Sequence, residues 1–204
     1  MDRRAFLGAL GGGAAALWLP PSIALAEQPA PAAPGPLPAE DFWSRPRRLR
    51  LVRGSESLDE IYWANGNYIW AGYERVCRLL RDPVDNVAVQ MDPRLLDLMA
   101  AVQGYMAHYG FSAPLSINSG YRTAARNARI EGAAQNSMHV WGKAVDFTMP
   151  GVPSNYMGAL ASHYKAGGVG FYPSQQFTHM DTGNVRYWIG DRLPAAKVSA
   201  KRHR

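Results

Sequence analysis

The 204-residue chain carries 22 Lys and Arg against 16 Asp and Glu, a formal charge of +6 with its histidines neutral. Its single cysteine, Cys77, excludes an internal disulfide and any zinc site built on paired thiolates. Moderate basicity suits an anionic polymer, and no RNP, helix-turn-helix or zinc-finger pattern accompanies it to favour nucleic acid.

The chain opens with twin arginines, Arg3-Arg4, ahead of an uncharged run from Ala5 to about Leu19 that ends at Ala24-Leu25-Ala26. A basic start, a short apolar run and a small-x-small end mark residues 1–26 as a cleavable export signal. The run is too short and too glycine-rich for a lasting membrane anchor. Paired arginines followed by x-Phe-Leu fit the twin-arginine export machinery, a transient partner, with an ordinary Sec signal as the alternative. Either route places the mature protein outside the cytoplasm, with the periplasm as the expected address. Without residues 1–26, which hold two Arg and one Asp, the formal charge is +5. Residues 27–44 read as a Pro/Ala-rich tether that cannot bury enough surface to fold. Residues 45–190 are long enough for one domain with its own core. Residues 191–204 read as a basic, solvated tail.

Within the domain, Arg48 to Arg53 alternates basic and apolar residues, as a strand with one wet face does. Asn65-Gly66, between Glu60–Trp63 and Tyr68–Ala71, signals a hairpin. Residues 72–80 read as a helix with Cys77 on its apolar side, a buried and inert thiol. Asp92-Pro93 supplies an N-cap and a first helical residue. Leu95, Leu96, Met99, Val102 and Met106 then recur at helical spacing until Gly110. His108 near that helix end is suited by the dipole and is not nominated as a ligand. A strand is expected at 114–118, a short helix at 123–131, a strand at 144–149 and a helix at 152–165. His163 falls on the polar side of that last helix end. Strands follow at 169–172, 177–181 and 184–188. The fold class is α+β, a small, mostly antiparallel sheet with helices packed on it.

The chemistry concentrates in Ser137-Met138-His139-Val140-Trp141-Gly142-Lys143-Ala144-Val145-Asp146. Where thiolates are absent, zinc favours imidazole nitrogen and carboxylate oxygen. A spacing of seven does not fit one helix face. It fits a ligand on a loop, a turn at Gly142, and a second ligand on the next strand. A carboxylate between Val145 and Phe147 is costly in a sheet without a partner, and a metal ion supplies one. A third ligand comes from Phe177-Thr178-His179-Met180-Asp181, where His179 and Asp181 share a strand face. Three ligands and an open position make a catalytic zinc site. From spacing alone, structural histidines and a capping Asp146 remain equally open.

Ser119-Gly120-Tyr121-Arg122 followed by S-x-H-x-x-G-x-A-x-D resembles the D-Ala-D-Ala carboxypeptidase and murein endopeptidase superfamily. These are the LAS-type zinc peptidases, related in fold to the hedgehog signalling domain. Gly167-Gly168-Val169-Gly170-Phe171-Tyr172-Pro173, Phe177 to Gly183 and Arg186-Tyr187-Trp188 are similar to its branch of exported murein endopeptidases. The resemblance implies Zn²⁺ on His139, Asp146 and His179, peptidoglycan as substrate, and Arg122 as the arginine that binds substrate or steadies the oxyanion. The family's usual base positions hold Gln176 and Phe177, neither of which takes a proton at neutral pH. Asp181 is therefore the candidate base or orienter, and a swapped set, with Asp181 as ligand and His179 as base, stays open. The resemblance implies a cross-link endopeptidase, joined diaminopimelate residues included. D,D-carboxypeptidase activity and a non-catalytic, zinc-stabilised wall-binding domain are the alternatives.

Overall fold

A computed structural model describes residues 39–190, with side chains from residue 42 onward. The export signal, the tether up to residue 38 and the basic tail lie outside the described residues. Ala39–Ser44 form a short helix, α1, so the last six residues of the span read as tether are helical. Phe42 docks it on the core, its ring lying against Gly104.

The hairpin forms where Asn-Gly predicts it. β1 (Arg47–Arg53) pairs antiparallel with β2 (Glu56–Ala64), which turns at Asn65 and Gly66 into β3 (Asn67–Tyr68). Both turn residues have positive φ, 52° and 80°, as a two-residue hairpin turn requires. The second arm is shorter than its aromatic content suggests. The Ile69 amide donates to the Tyr62 carbonyl, and the Tyr73 amide already donates back to Ile69. Helix α2 (Trp70–Leu79) thus starts two residues before the expected position.

α3 (Pro93–His108) matches its sequence signals: the Asp92 carboxylate accepts from the Arg94 amide at 2.9 Å, and Pro93 fills the first position. Such a cap is worth about 1 kcal/mol. β4 (Leu115–Ser119) leads to α4 (Ala124–Arg129), a 3₁₀ turn (Met138–Trp141) and β5 (Ala144–Thr148). α5 (Ser154–His163), β6 (Gly168–Tyr172), β7 (Phe177–Asp181) and β8 (Arg186–Ile189) complete the described residues. His163 is exposed at the end of α5.

The strands form one eight-stranded sheet in the order β3-β2-β1-β4-β5-β7-β6-β8. The expected sheet was small and mostly antiparallel; the α+β class holds and five of the seven strand pairings are antiparallel, but the sheet is larger than expected and mixed. β1 runs parallel to β4, and β6 parallel to β8. The first parallel pair arises because β2, β3, α2 and α3 intervene, a crossover long enough to bring the chain back in the same direction. The second arises because β7 folds onto one edge of β6 and β8 returns to the other.

One face of this sheet carries the core. Leu49 and Leu51 of β1, Val145 and Phe147 of β5, Val169 of β6 and Met180 of β7 are almost fully buried. They join Val76 and Leu80, Leu95, Leu96, Met99 and Val102 of α3, and Met157 and Ala161 of α5 in one cluster. Each large side chain so buried contributes roughly 1.5–3 kcal/mol. Cys77 lies in that cluster, and burial pushes its thiol pKa up. No helix among the described residues is long and apolar enough to cross a membrane.

Candidate metal centre

The opposite face of the same strands carries polar residues in two rows. Side chains of directly paired residues lie on one side of a sheet. Ser119 of β4 pairs with Asp146, Asp146 with His179, His179 with Gly170, and Gly170 with Trp188. One step along, Ala144 pairs with Asp181, and Gly168 pairs with Arg186. Strand alternation thus places Asp146, His179 and Asp181 on the face away from the core.

The glycines of β6 leave room for what crosses them. A Cβ on Gly170 would sit 2.6 Å from the Trp188 indole, so the indole leans across β6 to lie 5.2 Å from the His179 ring. A Cβ on Gly168 would meet Asp181 and Arg186 at 2.6 Å, where those two side chains join.

His139 arrives from outside the sheet. The Ser137 hydroxyl accepts from the His139 amide and caps the 3₁₀ turn. Gly142, at φ 66°, then reverses the chain into β5 in the left-handed conformation that suits glycine. The turn expected between the two donors is therefore present.

The three donors converge. His139 Nε2 lies 3.2 Å from Asp146 Oδ1 and 3.3 Å from His179 Nδ1, and His179 Nδ1 lies 2.8 Å from Asp146 Oδ1. All three residues are at least nine-tenths buried. A tetrahedral ion with bonds of about 2.0–2.2 Å sets its donors about 3.3 Å apart, close to this triangle.

The outer contacts fix which atoms face inward. His139 Nδ1 lies 2.7 Å from the Gly120 carbonyl, and His179 Nε2 lies 2.9 Å from Asp181 Oδ2. A neutral ring that donates outward from one nitrogen presents the lone pair of the other toward Asp146. Asp146 Oδ2 accepts from Arg122 Nη2 at 2.7 Å, leaving Oδ1 for the centre. Three lone pairs facing one another repel unless a proton or a cation sits between them. A backbone carbonyl or carboxylate behind each imidazole is the usual support of a metal ligand. Both observations fit a divalent metal ion.

The electrostatics agree. Burial would raise the Asp146 pKa, but the His139 and His179 imidazoles pull it well below the ordinary carboxylate range. Burial lowers His139, with Asp146 opposing. Burial would also lower His179, yet its bonds to Asp146 and Asp181 raise it. The paired carboxylates draw positive charge into the site.

Asp181 is not part of the triangle. Its Oδ1 accepts from the amides of Gly168 and Gly183 and from Arg186 Nη1, at 3.1, 2.8 and 3.2 Å. Its Oδ2 accepts from His179 Nε2 and, at 2.7 Å, from Arg186 Nη2. It is fully buried, and although burial would raise its pKa, these bonds hold it at about 2. Both of its oxygens are so engaged, and it is not among the residues that line the cleft. Asp181 meets the His179 ring at Nε2, whereas Asp146 meets it at Nδ1.

Arg122 anchors on Ser119 Oγ at 2.8 Å as well as on Asp146, and its amide donates to the His139 carbonyl. It also lines the cleft beside the donors. The cleft encloses about 650 Å³. Glu131, on the loop after α4, brings a further carboxylate to its wall. Tyr172 and Phe177 stack at 4.2 Å on another side, and Trp188 Nε1 donates to Tyr172 Oη at 3.1 Å. Sequence reasoning missed Glu131, the aromatic wall and Arg186. Tyr172, Phe177, Arg186 and Trp188 did carry a signal, standing in the strings that resemble the murein endopeptidase branch, whereas Glu131 had none.

A buried His–Asp–His triangle at the floor of an open cleft, on an α+β sheet, defines a metal-dependent hydrolase. The chain belongs to the metallopeptidase family described as Peptidoglycan L,D-endopeptidase MepK, whose model matches residues 42–188. It is 34% identical over 150 residues to the Peptidoglycan L,D-endopeptidase MepK of Escherichia coli K12, covering 71% of this chain and 81% of that protein. The protein of that name from Shigella flexneri matches to the same extent. A Probable peptidoglycan L,D-endopeptidase MepK from Haemophilus influenzae is 34% identical over 152 residues, with 72% and 81% covered.

Proposed function

We propose that this chain hydrolyses peptide cross-links of peptidoglycan outside the cytoplasm, in the periplasm, with zinc held by His139, Asp146 and His179. The single observation that carries the reading is the buried donor triangle at the floor of a cleft of about 650 Å³. The relatives' names supply the substrate class and the L,D bond preference. Zinc is favoured over other divalent ions because two imidazoles and one carboxylate match its ligand chemistry.

When bound, a zinc ion supplies Lewis acidity and a water-derived nucleophile at neutral pH. The chain's own groups do the rest. Gly120 and Asp181 hold the two imidazoles in the tautomers that face the centre. Arg186 neutralises Asp181, so that this carboxylate stays an acceptor and does not compete for the ion. Arg122 turns Asp146 and presents a fixed guanidinium to the cleft, where negative charge develops on the scissile carbonyl. Removal of bulk water by the Tyr172, Phe177 and Trp188 wall strengthens each of these interactions.

The test is a digest of sacculi and of defined 3–3 and 4–3 cross-linked muropeptides, with and without chelator, read by mass. Chelator-sensitive cleavage of the 3–3 link is expected, restored most fully by zinc. Protein that is zinc-loaded, binds sacculi and releases no muropeptide would instead be a wall-binding domain.

A further inference from the structure

The 3₁₀ turn that delivers His139 into the cleft ends in Trp141, and Trp141 faces a second cavity. This pocket, about 320 Å³, is lined by Tyr68, Trp70, Tyr73, Gln90, Trp141 and Lys143, with Met91, Asp92 and Pro93 as its base. Its volume falls at the small end of the range for ligand sites, about 300–1,000 Å³. Three of its aromatic side chains stay open to solvent: Tyr68, Trp70 and Trp141 are 44%, 53% and 66% exposed. Large indoles are rarely left so uncovered when they serve only a core.

The pocket is built on rigid parts. Trp70 stacks on the buried Tyr73 ring at 5.2 Å, and Tyr68 meets the same ring edge-on at 6.1 Å. The Asp92 amide donates to the Gly142 carbonyl at 2.8 Å, tying the start of α3 to the turn after Trp141. Asp92 Oδ2 also accepts from Thr182 Oγ1 at 2.7 Å, next to Asp181. Around the rim, the side chains of Gln90 and Lys143 are exposed and have no hydrogen-bond or ion-pair partner among the described residues.

Flat ring faces with polar groups at the rim match one chemistry well. A pyranose ring presents a face of C–H groups that stacks on an indole, and hydroxyl and amide groups around its edge that need donors and acceptors. Gln90 offers both, and Lys143 offers three donors. The position suits that ligand too. In a 3₁₀ turn, residues two apart are separated by about 4 Å along the axis, so Trp141 and His139 are close neighbours, Trp141 lining this pocket and His139 the cleft. The pocket and the cleft thus lie on either side of one short turn, with no lining residue in common.

We infer that the Tyr68–Trp70–Trp141 pocket is a carbohydrate subsite that holds an N-acetylated amino sugar of the glycan strand while the cleft holds the attached peptide. The inference rests on the peptidoglycan reading of the cleft. It gives the enzyme a way to distinguish strand-attached cross-links from released peptides.

The probe is the β-1,4-linked N-acetylglucosamine tetramer, which carries no peptide, titrated by calorimetry into the zinc-loaded protein. Binding is expected, weakened about tenfold in Trp70→Ala and in Trp141→Ala, as loss of one aromatic stacking partner costs. Trp70→Phe, which keeps a ring, restores most of it. In parallel, the ratio of cleavage rates on glycan-bearing and glycan-free cross-linked peptides falls about tenfold in Trp70→Ala. A tetramer that does not bind, or that binds all variants equally, overturns the inference. So does displacement of the tetramer by glycan-free peptide, which would make the pocket a peptide site. If the protein cleaves nothing yet binds the tetramer through Trp70, the peptidase reading fails and the subsite stands. Cleavage without tetramer binding gives the reverse.

Discussion

The two faces of β5 and β7 are built from the same ten residues and obey different rules. On one face Val145, Phe147 and Met180 meet α-helical side chains through contacts that any apolar group of similar volume could make. On the other, Asp146, His179 and Asp181 each meet a named atom at hydrogen-bond distance, and that atom meets another. Cores tolerate volume-conserving exchange because dispersion and burial are non-directional. A buried polar network does not, since a removed partner leaves the others desolvated and unpaired. The comparison predicts that stability and activity separate at single-residue resolution, within one strand.

The largest effect is expected at His139, the donor that belongs to neither strand. His139→Ala removes one corner of the triangle and leaves Asp146 and His179 too few to hold the ion. Metal affinity should fall by more than the roughly 10–100-fold that loss of an outer partner costs, and cleavage with it. Metal content of the dialysed protein and muropeptide release check this. The sheet should be unaffected, because His139 contributes no strand. A large drop in thermal stability of the metal-free form would break the proposed separation of the two faces.

A smaller effect is expected one shell out. Asp181→Ala frees His179 Nε2 and leaves Arg186 facing the ring without its carboxylate. The expected loss is about 10–100-fold in metal affinity or turnover, with metal still bound at saturating zinc. Asp181→Asn, which can still accept through its carbonyl oxygen, should recover part of it. Total loss of metal at saturating zinc in Asp181→Ala would return the swapped ligand set to contention.

How much of this was legible in the sequence differs between the two faces as well. Strand β7 is found at its expected limits, because Phe177 to Asp181 alternates cleanly between a core side and a site side. The Asp92-Pro93 start of α3 and the Gly142 turn were equally readable, since each depends on a residue type whose backbone preference is local. What sequence could not supply was the lateral order of strands. The register that sets Ser119 beside Asp146, and Gly168 beside Arg186, joins residues 27 and 18 apart through the sheet. The parallel pairs were missed for the same reason: direction follows from the path of a crossover and leaves no mark on strand periodicity. Asp181 shows the consequence at the site. Its face was predicted correctly, but its bonds to Arg186 and to the Gly168 amide across the sheet were not legible in that pattern.

The smallest effect is expected at Met180, which lies between His179 and Asp181 and points to the core. Met180→Leu keeps volume and apolar character, and its cost in urea unfolding should be below about 1.5 kcal/mol. Metal affinity and cleavage should stay at the wild-type level, although both neighbours in sequence belong to the site. The reason is geometric: side chains of adjacent strand residues point to opposite faces, so a change at Met180 reaches the imidazole only by moving the backbone. The Val145 and Val169 partners of Met180 are themselves buried and hold that backbone from both sides. A Met180→Leu protein with normal stability and impaired metal binding would show that the core face sets the geometry of the donors, and the two faces would then have to be treated as one unit.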